Sequence, residues 1–121
     1  MAKVLYVDDE PDIREIVCLS LELEPSLDVR DCSSGAEALE VACEWQPDLI
    51  LLDVMMPGMD GPTTLARLRD MAETAAIPVV FITARVQPGE SDHFLSLGAV
   101  GVLAKPFDPM TLAEQVAAFI P

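Results

Sequence analysis

The sequence is short of positive charge. Its 121 residues carry 7 Lys or Arg against 21 Asp or Glu, a formal net charge of −14. Affinity for nucleic acid and for anionic membranes rests largely on basic side chains neutralising phosphates, so direct binding to DNA, RNA or lipid is not expected. Aromatic residues make up only 5 %, which leaves Leu, Ile, Val, Ala and Met to fill a core. Three cysteines, Cys18, Cys32 and Cys43, are an odd number without metal-ligand spacing, and buried free thiols are expected at all three. No apolar run approaches the ~18 residues of a membrane span. No secretory leader is evident either, since Met1-Ala2-Lys3 runs straight into a short apolar stretch. The expectation is a cytoplasmic protein.

What is present is an apolar fraction of 51 % in a chain the size of one domain, residues 1–121, with no linker, repeat or low-complexity tract. Val4–Val7, Leu49–Leu52, Val79–Ile82 and Val100–Ala104 are short runs that do not alternate, as in parallel strands covered on both faces. Asp28–Cys32 alternates and suits an edge strand. Helical spacing falls between the runs. Ile13, Ile16, Val17 and Leu21 follow Pro11, and Leu39, Ala42 and Cys43 follow a capping-box pair, Ser34 and Glu37. Leu65, Leu68 and Ala72 predict a third helix, and Phe94 and Leu97 a fourth that Gly98 ends. A fifth carries Leu112, Val116, Phe119 and Ile120, with Asp108 as its cap and Pro109 at its first position. The order βαβαβαβαβα implies a three-layer α/β sandwich.

Polar residues collect where the strands end: Asp8-Asp9, Asp53, Thr83 and Lys105. In an open α/β sheet the crevice beyond the strands' carboxyl ends is where ligands bind. Three carboxylates brought together there repel one another, and a hard divalent cation answers the repulsion, Mg²⁺ being the natural occupant. One carboxylate is then available as a nucleophile toward a phosphoryl group, with Lys105 and Thr83 holding phosphoryl oxygens.

At these residues the sequence resembles the receiver domain of two-component response regulators. The matching motifs are Val7-Asp8-Asp9-Glu10, the stretch from Leu51 to Gly61 around Asp53, Ile82-Thr83-Ala84 and Lys105-Pro106-Phe107. The resemblance implies a flavodoxin-like doubly wound parallel sheet of five strands, order 2-1-3-4-5, with five helices. It implies Asp53 as phosphoacceptor. It also implies Mg²⁺ held by Asp9, by Asp8 mainly through water, by Asp53 and by the Met55 carbonyl. Thr83 and the Ala84 amide are expected to touch the phosphoryl group, Lys105 to pair with it, and Pro106 to follow a cis bond. Pro57-Gly58 is expected to turn the loop after Asp53, with Gly61 giving it freedom before the third helix and Asp60 stabilising the turn. The donor is expected to be a histidine kinase or histidine phosphotransfer protein, and the output a downstream protein contact by a monomer or a phosphorylation-dependent dimer. On this reading the chain is a switch and not a turnover enzyme, and no output domain follows Pro121.

One position departs from the family. Receiver domains usually carry Tyr or Phe three residues before the lysine; here Val102 stands there, so the aromatic part of the usual switch is missing. Met55 and Arg85, at the positions that tune aspartyl-phosphate lifetime, offer no carboxylate or amide to orient water, which predicts slow self-dephosphorylation. Competing readings are a Mg²⁺-dependent phosphohydrolase, a phosphate-blind scaffold, and an FMN module. An Asp-Asp-Glu loop repels the FMN phosphate.

Overall fold

A computed structural model describes residues 1–84, 89–105 and 107–120. Five strands and five helices alternate along the chain: β1 (Ala2–Val7), α1 (Pro11–Glu22), β2 (Leu27–Cys32), α2 (Gly35–Trp45), β3 (Leu49–Asp53), α3 (Gly61–Asp70), β4 (Val79–Thr83), α4 (Glu90–Ser96), β5 (Gly101–Ala104) and α5 (Leu112–Ala117). The sheet is parallel, in the order β2-β1-β3-β4-β5.

The unbroken apolar runs have a direct cause. Successive side chains on a strand point to opposite faces, and in β1, β3 and β4 both faces are covered. Leu5, Val7, Ile50, Leu52, Val79 and Phe81 pack toward α2, α3 and α4 through Ala38, Ala42, Leu65, Leu68 and Phe94. Val4, Tyr6, Leu49, Leu51, Val80 and Ile82 pack toward α1 and α5 through Val17, Leu21, Leu112 and Val116. All twelve strand residues are inaccessible to solvent.

The edges behave differently from the centre. β2 buries only Leu27 and Cys32 at its two ends. In β5 burial is only partial: Val102 packs against one core and Leu103 against the other, while Ala104 and the preceding Val100 are exposed, so both faces are covered incompletely. At Gly101 an added Cβ would run into the Phe119 ring, so the aromatic lies directly on the backbone of β5.

Helix ends follow local chemistry where a side chain caps them. The Ser34 hydroxyl accepts from the Glu37 amide at 3.1 Å, and Asp60 accepts from the Thr63 amide at 2.9 Å, capping α3. Predicted boundaries move at the end of α3 and at both ends of α5, which stops at Ala117 and leaves Phe119 and Ile120 beyond it. α3 ends at Asp70, leaving Ala72 exposed in the following turn. α5 begins at Leu112: Asp108 accepts from the Met110 amide at 3.0 Å and shapes a separate turn over 109–111, rather than capping the helix itself. Cys43 is exposed on the outer face of α2 and Cys18 is half-buried; only Cys32 is the buried thiol expected.

Candidate functional site

The register of the central strands decides where the polar residues meet. Val7 lies opposite Leu52, so the next residues, Asp8 and Asp53, emerge side by side from β1 and β3. Thr83 pairs with Ala104, which puts Lys105 beside the end of β4. The hydrogen-bond ladder continues one step past the strands: the Asp8 amide donates to Cys32 O at 3.2 Å, Val54 to Ile82 O at 3.0 Å, and Lys105 to Thr83 O at 2.8 Å. Gly61 closes the loop after β3. A Cβ there would come within 2.5 Å of the Asp53 carbonyl oxygen, so its role is close approach rather than loop freedom. Gly58 has φ +77°, a left-handed conformation that suits the expected Pro57-Gly58 turn.

Asp8 is 0 % and Asp53 5 % exposed, and Asp9 is half-buried beside them. One oxygen from each of the three carboxylates lies within 4.8 Å of the others. Lys105 Nζ donates to Asp8 Oδ2 at 2.7 Å and to Asp53 Oδ2 at 3.3 Å. Arg14 does not join the cluster. It donates to the Asp8 carbonyl at 2.8 Å and pairs with Asp31 at 3.1 Å, bracing α1 against β1 and β2.

The electrostatics are lopsided. Burial pushes the Asp53 carboxyl up to about 6, the Asp8 charge adds to the rise, and Lys105 opposes it. Burial works on Asp8 in the same sense, but hydrogen bonds from Lys105, the Glu10 amide and the Tyr6 hydroxyl outweigh it and hold Asp8 below the usual carboxylate range. Burial works to lower Lys105, and the hydrogen bond to Asp8 with the charges of Asp53 and Asp8 raises it overall. Three carboxylates against one ammonium leave two negative charges uncompensated when all are ionised. That deficit, on an all-oxygen donor set, fits a hard divalent cation of the Mg²⁺ type.

The structure thus brings together Asp8, Asp9, Asp53 and Lys105, with Thr83 buried at the end of β4 and Ala84 exposed just after it. Ala84 and Lys105 border a groove of about 550 Å³ walled by Ile13, Ile16 and Phe107. Met55 lies in the loop after β3 with its side chain exposed, and Met56 turns inward. Val102 is half-buried and packs toward the α2–α4 side of the sheet, with the core that contains Phe81 and Phe94. Pro106 and Arg85 lie outside the described residues. Tyr6 escapes a reading of motifs, although its position two residues before Asp8 on a strand puts it on the same face; its hydroxyl donates to Asp8 Oδ2 at 2.7 Å.

Comparison with known proteins decides the family. Residues 4–117 match the family model of the response regulator receiver domain. The chain belongs to that family. It is 38 % identical over 120 residues, 99 % of its length, to the DNA-binding dual master transcriptional regulator RpaA of Synechocystis, covering 49 % of that protein. It is 42 % identical over 117 residues to the response regulator PleD of Caulobacter vibrioides, covering 95 % of this chain and 25 % of that one. This receiver domain therefore spans about half, or less, of these curated relatives. Among solved structures, the chemotaxis protein CheY4 of Vibrio cholerae superposes with a TM-score of 0.90 at 33 % identity, over 99 % of each chain. The five-stranded order and five helices are those of this receiver fold.

Proposed function

We propose that this receiver domain accepts a phosphoryl group on Asp53, in a Mg²⁺-dependent reaction, from a histidine kinase or histidine phosphotransfer protein. The observation that carries the reading is the cluster itself. Asp53 is buried, held up to about 6 by burial and by Asp8, and touched by Lys105, with two further carboxylates within 4.8 Å. Residues 1–121 act on this reading as one switching unit rather than a turnover enzyme.

Asp8, Asp9, Asp53 and the Met55 carbonyl would hold the cation. When bound, it supplies neutralisation of the carboxylates and of the phosphoryl oxygens. An Asp53 carboxylate oxygen attacks phosphorus in line; the bond from phosphorus to the donor imidazole nitrogen, or to the acyl oxygen of a small acyl phosphate, breaks, and the leaving group keeps the electron pair. Lys105 follows the charge from Asp53 to the phosphoryl oxygens, and Thr83 and the Ala84 amide take the others. The product is an aspartyl phosphate. The added charge, about −1.5 to −2 by analogy with other phosphorylated side chains, biases the loops around the pocket toward a second arrangement. With Val102 in place of an aromatic, that bias reaches a protein target through backbone and loop displacement.

The test is incubation with Mg²⁺ and a small acyl phosphate, followed by intact-mass measurement. Wild type gains one hydroxylamine-labile phosphate; Asp53→Ala gains none. A wild-type protein that stays unmodified under these conditions marks a phosphate-blind scaffold instead, and release of many phosphates per molecule from phosphomonoesters marks a phosphohydrolase.

A further inference from the structure

One buried polar group beside the cluster has no part in the chemistry above. Tyr6 is the only tyrosine in the chain, and its side chain is 0 % exposed. Its hydroxyl donates to Asp8 Oδ2 at 2.7 Å, the same oxygen that accepts from Lys105 at 2.7 Å. The other carboxylate oxygen, Oδ1, accepts from the Glu10 amide at 3.0 Å. Two of these three donors are rigid: a ring locked in the core and a backbone amide. The third sits on a flexible stem and is shared with Asp53 at 3.3 Å. A phosphoryl group arriving on Asp53 competes with Asp8 for Lys105, and Tyr6 is the side-chain donor that stays.

Volume alone does not call for this hydroxyl. The edge-on contact of the Tyr6 ring with Phe107, 6.5 Å between centroids at 73°, and the packing beneath α1 and α5 are available to phenylalanine without a buried polar atom. We infer that Tyr6 is a positioning residue: its hydroxyl fixes the Asp8 carboxylate in the orientation that a divalent cation meets, and keeps Oδ2 satisfied while Lys105 turns to the phosphoryl group. This inference rests on the reading of Asp53 as phosphoacceptor and of the three acids as cation ligands.

Groups that orient a metal ligand from behind typically govern affinity by about 10–100-fold. Tyr6→Phe removes the hydroxyl and keeps the ring. Calorimetric titration with Mg²⁺ is expected to show binding about tenfold weaker than wild type, near the lower end of that range. Acyl-phosphate labelling of the variant should fall at limiting Mg²⁺ and recover as Mg²⁺ is raised, a shift in half-saturation that a loss of packing alone does not produce. In wild type, Mg²⁺ should perturb the near-ultraviolet tyrosine absorption with the calorimetric midpoint, and the variant should lack that signal. The wild-type spectrum decides the matter even if the variant fails to fold. A Mg²⁺ midpoint within twofold of wild type overturns the inference, as does a silent tyrosine in wild-type protein that takes up Mg²⁺ and phosphate; both leave the role of Asp53 standing. Wild-type protein that takes up neither overturns both.

Discussion

The two ends of the sheet handle polar groups in opposite ways. At the amino ends of the strands, charged side chains meet dipoles and an aromatic ring. The Lys3 amide donates to Asp48 at 2.8 Å, its ammonium donates to the Trp45 carbonyl at 3.1 Å, and Lys3 and Arg30 approach the Trp45 ring at 5.7 and 4.6 Å. Gln46, at φ 54°, ties the end of α2 to the turn after α3 through a 2.9 Å bond to Glu73 O. At the carboxyl ends, three carboxylates share one ammonium. The first arrangement engages each cation with a carbonyl or a ring and stabilises the fold. The second carries repulsion until something else binds, and that is what suits it to switching.

Lys105 is the one ammonium shared by the carboxyl-end acids, and its removal has the largest expected effect. Removing one partner of a buried ion pair leaves an uncompensated charge, a loss of about 3 kcal/mol or more. Lys105→Ala should therefore destabilise the Mg²⁺-free protein by about that much at neutral pH in urea unfolding. The loss should shrink toward pH 5, where Asp53 takes up a proton. An equal loss at both pH values would show that the cluster charge is not the cause.

Asp53→Asn sharpens the contrast from the other side. The folded carboxyl is raised from 3.8 to about 6, so the folded state binds a proton that the unfolded chain has already released. Stability from this group is full below the unfolded value and is lost as pH rises through about 6. In chelator, wild type should lose stability between pH 4 and 7 more steeply than Asp53→Asn. The variant should be more stable by on the order of 1–3 kcal/mol at pH 7.5, a shift of one pKa unit corresponding to about 1.4 kcal/mol. Saturating Mg²⁺ should flatten the wild-type slope. Urea midpoints across pH measure all three.

The smallest effect belongs to the amino end. Arg30→Ala removes an exposed cation–π contact and should lower stability by about 0.5 kcal/mol without altering acyl-phosphate labelling. A labelling defect in that variant would mean the two ends are coupled.

How much of this was legible in the sequence depended on where each residue sits in the sheet. β1, β3 and β4 announce themselves because burial on both faces demands an unbroken apolar run, and their carboxyl ends locate Asp8, Asp53 and Thr83 with them. β5 carries the same kind of run at an edge, where composition does not record that one side lacks a neighbour; Val100 is exposed for that reason. α5 starts later than its cap signal suggests because Asp108-Pro109 satisfies the chemistry of a turn as well as that of a helix cap. Cys43 follows helical spacing yet falls on the outer face of α2, since a stripe shows which residues share a side and not how wide the buried strip is. Tyr6 was hidden because it reads as one more apolar residue in a core strand, and its hydroxyl acquires meaning only when Asp8 is seen 2.7 Å away.

The ladder bonds at Asp8, Val54 and Lys105 carry the regular backbone one residue beyond the strands. The anchor points of the pocket are therefore set by the sheet itself, and an incoming group meets main chain already in place at all three. The entropy of ordering that main chain is spent when the strands form, so what remains to be ordered when a ligand arrives falls mainly on side chains.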